Sequence, residues 1–233
     1  MKKIAFVIIV VVAAATGIFA DDIFFPAKKG VTLVTANLNP KGKLESFARM
    51  TVKDVSGSGA DMSITYLMLP LNKKKKPTMK GEGFEYTANV VNNVLKMDLR
   101  SVIDVAVTTP PDAPFEITGG TMELPARLSV GDKLEDVYMN MYMNLVITSI
   151  DVDVSVTNHR CVAVESVTVP AGTFECYKLT HTVTMSASAM GTHSREVNDI
   201  TTWYARGIGS VKSVVFDEKG KVVSMTELHE LIR

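Results

Sequence analysis

The chain has 233 residues, with 25 Lys and Arg against 25 Asp and Glu, so its formal net charge at pH 7 is zero. A chain without a basic excess is poorly suited to binding a phosphate backbone, which argues against nucleic acid as a partner. Hydrophobic residues make up 46% of the chain, enough to build a buried core, so a disordered protein is excluded as well.

Residues 1–20 have the three parts of a secretory signal peptide. Lys2 and Lys3 begin it, residues 4–12 form an uninterrupted apolar run, and Ala20 fits the last position before cleavage. The apolar run is shorter than the roughly 20 residues of a membrane-spanning helix, so we expect cleavage and a mature chain that does not span a membrane. Because no cysteine lies near the cleavage site, we expect a periplasmic or secreted protein without a lipid-modified amino terminus.

The remaining chain, residues 21–233, alternates apolar and polar residues in runs bounded by Gly, Asn and Pro. Period-two alternation is the signature of β-strands, and here it predicts about ten strands joined by short connections. We therefore expect an all-β domain, an antiparallel meander forming a barrel or half-barrel, with a two-sheet sandwich as the alternative. The run Lys73–Lys76 is interpreted as the solvated tip of a hairpin.

Residues 108–126 hold four of the nine prolines together with Gly119 and Gly120. This composition predicts a long irregular connection within one domain. Residues 138–157 then alternate as one strand, but their apolar positions change from odd to even numbers at Thr148 and Ser149. Such a change of phase is typical of a β-bulge.

The most suggestive stretch has methionine at every second position, at Met139, Met141 and Met143, followed by Leu145 on the same face. Three interpretations remain open. The side chains can fill the core, they can form a wall against a lipid tail or an apolar partner, or the thioethers can bind copper(I). We take these four residues as the candidate ligand-binding set, and we predict no metal site and no cofactor.

Cys161 and Cys176 are the two cysteines, and an oxidising compartment permits a disulfide between them. If residues 170–172 form a hairpin turn, Cys176 lies opposite residue 166 or so. The two cysteines are then about five strand positions apart, or ~16 Å, which is beyond the reach of a disulfide unless the register differs. The bridge therefore stays an open possibility. Asn158 and His159 are predicted to form a turn just before this region.

Standard catalytic motifs are missing from the sequence, so no catalytic residues are assigned. The histidines lack metal-ligand spacing; they are His159, His181, His193 and His229. A hydrolase would need two or more members of one scattered set to converge, namely His181, His193, Asp199 and Glu227.

Four segments together resemble the TapB-like family of exported bacterial β proteins of unknown function. They are Phe-Phe-Pro-Ala-Lys-Lys-Gly at residues 24–30, Val-Gly-Asp-Lys-Leu at 130–134, Val-Pro-Ala-Gly-Thr-Phe-Glu-Cys-Tyr-Lys-Leu at 169–179, and Trp-Tyr-Ala-Arg-Gly-Ile-Gly-Ser-Val-Lys at 203–212. The resemblance implies an antiparallel, barrel-like fold somewhat similar to periplasmic lipoprotein carriers, and it implies no catalytic residues.

The two specific segments of this resemblance have a structural interpretation. Pro170 presets a turn, Gly172 completes it, and Phe174 returns to the core. Trp203 is the only Trp, and we expect it to anchor its strand ahead of a bend at Gly207 and Gly209.

These observations favour a non-catalytic exported protein that binds a lipid-like apolar ligand or a partner chain in a barrel interior or groove. The alternative is a structural or assembly factor that contributes an edge strand to a cell-surface complex. An unrecognised hydrolase is a third hypothesis.

Overall fold

A computed structural model describes residues 23–100, 115–145 and 148–233, so the predicted signal peptide lies outside the described residues. In these three described segments, thirteen antiparallel strands form one sheet. They are β1 (Thr32–Leu38), β2 (Leu44–Ser58), β3 (Asp61–Leu71), β4 (Phe84–Val91), β5 (Val94–Asp98), β6 (Phe115–Gly119), β7 (Thr121–Pro125), β8 (Val137–Leu145), β9 (Thr148–Val169), β10 (Gly172–Ala189), β11 (Thr192–Ala205), β12 (Gly209–Asp217) and β13 (Val222–Ile232). Within these described ranges, no helix has the length and apolar character needed to cross a membrane.

The sheet curls into a nearly closed barrel, which confirms the prediction of an all-β antiparallel barrel. Its strand order is β6-β8-β9-β10-β11-β12-β13-β1-β2-β3-β4-β5-β7, and the two terminal strands are consecutive in the chain. The N–H of Gly120 donates to the carbonyl of Tyr138 in β8 at 3.0 Å, and its carbonyl accepts from the N–H of Leu99, just after β5, at 2.8 Å. Gly120 therefore links the two ends of the sheet, and we call residues 119–120 the seam.

The connection predicted at residues 108–126 contains two strands in its described part. Its second half forms β6 and β7, while residues 101–114 lie outside the described residues. The proline and glycine content predicted a loop here in place of these strands. Gly119 and Gly120 instead mark a change of pairing partner, from β8 before the seam to β5 after it.

The single strand predicted over residues 138–157 is wrong. These residues belong to β8 and to the first part of β9, which pair as a tight hairpin with Leu145 opposite Thr148. In this hairpin Met139 lies opposite Val154, and directly opposed residues share a face. The change of phase therefore records a reversal of the chain, and the predicted bulge at Thr148 and Ser149 does not form.

The turn predicted at Asn158 and His159 is also wrong, because β9 continues through both residues to Val169. Asn158 has a φ of 57°, and the register with β10 shifts between Thr180 and Thr182. Asparagine tolerates the left-handed conformation of a bulge as well as that of a turn, which explains the misinterpretation.

The barrel interior is plugged by residues 23–27, which we call the N-terminal plug. Phe24 contacts the ring of Tyr177 edge to face, with centroids 5.0 Å apart, and Phe25 contacts Tyr66 at 5.8 Å. The hydroxyl of Tyr66 also donates to a backbone carbonyl of the plug at 3.0 Å. Tyr66 and Tyr177 belong to different parts of the barrel wall, and both contact the plug. The face of the sheet that carries these two side chains is therefore the interior.

A smaller apolar cluster on the other face of β1–β3 is partly covered by the lysine-rich loop. The ammonium group of Lys75 lies over the ring of Phe47, 5.0 Å from its centroid, and forms an ion pair with Glu230. Lys75 is therefore held against the sheet by these contacts, although all four lysines from Lys73 to Lys76 are exposed, as expected for the tip of a loop.

Candidate ligand-binding face

The interior face of β10 runs from the filled core to a half-exposed end. Tyr177 contacts the plug and Leu179 is fully buried in the core. His181, Val183 and Met185 follow at alternate positions, and the pairing of β10 with β11 is in unbroken register throughout. Since alternate residues of a strand share a face, these side chains all point to the barrel interior.

The half-exposed end carries a contiguous apolar surface that we call the methionine face. Interior-facing rows cross β8, β9 and β10 in register there: Met139–Val154–Met185, Met141–Val152–Ala187 and Met143–Ile150–Ala189. Met185 is 41% exposed, and most of the other members are partly exposed. Apolar side chains in a filled core would be almost fully buried, so this face differs from the core below it.

The three predicted methionines have different environments. Met139 is 5% exposed and packs on the seam, because a Cβ atom on Gly120 would lie 3.0 Å from its sulfur. Met141 and Met143 are partly exposed on the methionine face. Leu145 pairs with Thr148 at the end of the hairpin, and its side chain lies outside the part that the structure describes. Met141 and Met143 are therefore the predicted methionines that are partly accessible to solvent.

The opposite face of the same strands is polar. Tyr138 is 63% exposed, and the amide of Asn140 donates to Asp151 at 2.6 Å and to Asp153 at 2.9 Å. A shallow surface depression of about 410 Å³ lies beside these residues and includes Ser186. The two faces thus differ sharply in polarity, as expected for strands with one face in water and the other against an apolar volume.

Two histidines meet between the filled core and the methionine face. The rings of His159 and His181 contact each other edge to face, with centroids 4.9 Å apart. His159 is 4% exposed, and neither of its ring nitrogens, nor Nδ1 of His181, has a hydrogen-bonding partner among the described residues. Burial lowers the pKa of both histidines, that of His181 to about 4 with a further contribution from His159. Both imidazoles are therefore neutral at pH 7.

Cys161 and Cys176 are both free and buried in the structure. Cys176 lies opposite Glu165, whereas Cys161 lies opposite Leu179, so the pair is out of register by several positions. Burial raises the pKa of both thiols, that of Cys176 to about 11, with contributions from nearby carboxylates. Both cysteines are therefore protonated thiols at neutral pH.

Trp203 lies on β11 between Lys178 and Lys212, whose ammonium groups are 5.1 and 5.6 Å from its ring. Its indole N–H donates to Glu165 at 2.6 Å, and this hydrogen bond lowers the pKa of the carboxyl group. The Trp is therefore held by charged neighbours on three strands.

The glycine bend that follows contacts the plug. The N–H of Gly207 donates to the carbonyl of Ile23 at 2.7 Å. Gly209 has a φ of 99°, and a Cβ atom there would lie 3.3 Å from the carbonyl oxygen of Phe24. The bend thus lets the plug backbone approach the sheet closely.

The other structural residues lie at the β9–β10 hairpin. Pro170 is exposed in the turn, Gly172 has a φ of 136°, and a Cβ atom there would lie 3.6 Å from the ring of Phe174. Phe174 packs against the main core. The N–H of Ala171 donates to the carbonyl of Leu228 at 3.3 Å, which ties the turn to β13.

The residues that a hydrolase would need are not brought together. His181 lies opposite Ile200, so it points to the face opposite that of Asp199, which accepts a hydrogen bond from Thr182 at 2.7 Å. His193 lies six residues from Asp199 along β11, and Glu227 is on β13, opposite Lys212. Among the described residues, no group of three or more His, Cys, Asp or Glu side chains is arranged to hold a metal ion.

The DUF3108-like family model matches residues 28–228, which is most of the chain. The chain belongs to the DUF3108-like family. No curated protein matches it.

Two solved structures share the fold of this DUF3108-like chain. One is a putative lipoprotein from Parabacteroides distasonis, 20% identical, with a TM-score of 0.69 over 90% of this chain and 98% of that one. The other is a putative exported protein with a YmcC-like fold from Bacteroides fragilis, 19% identical, with a TM-score of 0.67 over 93% of this chain and 100% of that one. At these identities the likeness establishes the barrel fold.

Sequence reasoning missed the second and third strands of the methionine face and the histidine pair. The valines at 152 and 154 carried the signal for the face, since they continue the alternation after the change of phase. Their contact with the methionines depends on recognising a hairpin. His159 and His181 meet only because the long β9–β10 hairpin aligns them, which no local motif encodes.

Proposed function

We propose that this DUF3108-like protein is a non-catalytic exported protein that binds a lipid-like apolar ligand on the methionine face. The observation that carries the proposal is the contrast between the filled, plugged core and the partly exposed apolar rows above it. Interior-facing apolar surface that is left accessible to solvent is a feature of binding sites, because folding alone would favour its burial.

The chemistry of the face suits a flexible acyl chain. Methionine side chains have three rotatable bonds and a polarisable sulfur, so Met141, Met143 and Met185 can adapt to a ligand of irregular shape. The rows through Val152 and Val154 carry no charged side chain on β8, β9 or β10. An acyl chain bound there would therefore remove no charged side chain of these rows from water.

Two further observations that support the proposal come from the sequence, and the structure bears on its alternative. The signal peptide at residues 1–20 supports a periplasmic or secreted location. The resemblance to the TapB-like family, with its fold similar to lipoprotein carriers, supports an apolar ligand. An edge-strand role in a surface complex has less support, because the terminal strands of the described sheet, β6 and β7, are only five residues each.

Adjacent residues on β10 offer a matched test of the site. Met185 faces the interior apolar rows and Ser186 faces the polar exterior. We expect Met185→Asn to weaken binding of a dansyl-labelled fatty acid by roughly tenfold, about 1.4 kcal/mol, while Ser186→Asn leaves it unchanged. Native mass spectrometry of the protein purified from its own host should show a bound lipid. Absence of both the lipid and the fluorescent binding would refute the proposal. Recovery of a stoichiometric protein partner bound to this face would identify the ligand as a partner chain instead of a lipid.

A further inference from the structure

We propose that His159 and His181 bind the carboxyl head group of a fatty-acid-like ligand whose acyl chain lies along the methionine face. This inference rests on the proposed function and specifies the class of ligand. It assigns a polar anchor to a site whose walls are otherwise apolar.

The position of the pair is the first argument. On β10, His181 comes two residues after the buried Leu179 and four residues before Met185. At about 3.3 Å per residue, the histidine lies ~13 Å along the strand from the methionine. On β9, His159 comes two residues before Cys161, which is buried opposite Leu179. The pair therefore lies at the boundary between the filled core and the methionine face.

The unsatisfied hydrogen-bonding capacity of the pair is the second argument. Three ring nitrogens have no partner within the described residues, although His159 is 4% exposed. Buried polar groups in folded proteins are nearly always hydrogen-bonded, and an unpaired one is destabilising relative to an apolar residue of similar size. Two adjacent imidazoles of this kind therefore indicate a partner that the described part of the chain does not supply.

The local backbone places the two rings together. Asn158 adopts a left-handed conformation and the β9–β10 register shifts at this point, so two residues of β9 stand opposite His181. Bulges of this type re-aim side chains beside functional sites. Without the bulge, regular alternation would send His159 to the exterior, because Val156 and Val154 already occupy the interior positions of β9.

The chemistry of neutral imidazole selects the head group. Each neutral ring has one N–H donor and one nitrogen acceptor, so the pair offers two donors in one place. A carboxylate offers two equivalent, strongly accepting oxygens on one carbon and can accept from both donors, whereas an ester has one strong acceptor, its carbonyl oxygen. The depressed pKa values of the two histidines keep them uncharged before binding. A head group without an oxygen acceptor of this geometry would leave the nitrogens unpaired.

Competition between laurate and methyl laurate tests the assignment. Both are measured by displacement of N-phenylnaphthylamine, an uncharged apolar fluorophore. We expect the wild-type protein to bind laurate about tenfold more tightly than its methyl ester. His159→Phe and His181→Phe should abolish this preference and keep the affinity for the ester, while His193→Phe, an exposed histidine on β11, should retain it.

The outcomes separate the two proposals. Equal wild-type affinity for laurate and its ester, or a preference that survives both substitutions, would overturn the head-group assignment and leave the apolar site intact. Failure of the fluorophore and both ligands to bind would overturn the proposed function together with this inference. If a Phe variant does not fold, as judged by circular dichroism, the wild-type comparison still decides.

Discussion

A Cβ atom on Gly119 would lie 2.2 Å from the carbonyl oxygen of Tyr138, so the first half of the seam has no space for a side chain. Gly119 also has a φ of 71°. The close approach lets the chain pass from pairing with β8 to pairing with β5, and it is what closes the barrel.

Substitution Gly119→Ala should therefore destabilise the protein by more than about 2 kcal/mol, since it adds a backbone clash to the strain of a left-handed residue. Gly42→Ala is the matched control. Gly42 has nearly the same φ, 72°, and a Cβ atom there would meet nothing within 4 Å. It should cost only the conformational strain, about 1 kcal/mol. Urea unfolding followed by Trp203 fluorescence measures both, and equal losses would show that the seam is not tightly packed.

The N-terminal plug should be essential to the stability of the barrel. Phe24 is 1% exposed, it contacts Tyr177 and Tyr204, and the guanidinium of Arg206 lies 4.9 Å from its ring centroid. Removing a buried aromatic ring leaves a cavity, so Phe24→Ala should lower the free energy of unfolding by about 3–5 kcal/mol.

Phe24→Leu fills most of that cavity and should cost clearly less than Phe24→Ala in the same denaturation experiment. A small loss for the alanine variant would mean that the barrel stands without its plug. That result would also mean that the barrel interior can remain open at the position that Phe24 fills.

The sequence predicted those parts of the fold that local sequence signals specify. Alternation was enough for an all-β barrel, because it directly reflects which face of each strand is buried. The β8–β9 hairpin was missed because its connecting residues, Val146 and Ile147, carry no turn chemistry. Asn158 was misread in the opposite sense, since the left-handed conformation that it adopts serves a turn and a bulge equally well.

The candidate site was predictable only in part for the same reason. The methionine alternation identified one strand of the apolar face from local sequence. Its other strands, and the contact between His159 and His181, depend on register between segments about 20 residues apart. A one-residue change in that register would move every one of these side chains to the other face.

The histidine pair should make the stability of the protein depend on pH in the acid range. Both pKa values are lowered in the folded state, so the unfolded chain binds more protons between its histidine pKa of about 6.5 and the folded value of about 4 for His181. The stability that depends on the neutral histidines is then fully present above about pH 7 and is lost as the pH decreases towards 4. Attraction from Asp136 partly offsets this for His159, while Arg160 and Asp199 belong to the opposite faces of their strands.

Protonation of His181 should cost the wild-type protein roughly 2–3 kcal/mol of stability between pH 7 and pH 4. His181→Phe should not show this loss, because a phenyl ring takes up no proton. Urea unfolding at several pH values measures the slope. His193→Asn serves as the control, since this exposed residue lies away from the pair on β11. Identical slopes for the wild type and His181→Phe would show that the pair is not buried in solution.

The two cysteines should be free thiols even after export into an oxidising compartment. Cys176 is fully buried opposite Glu165, whereas Cys161 is buried opposite Leu179, so a disulfide would require a change of register in the β9–β10 hairpin. Burial also raises both thiol pKa values, which keeps the reactive thiolate scarce at neutral pH. Protein purified from the periplasm without reductant should therefore add two alkyl groups per chain when alkylated in denaturant, and react slowly when native. The mass of the intact chain reports this directly, and a species that gains no alkyl group until it is reduced would establish a bridge and overturn the register described for this hairpin.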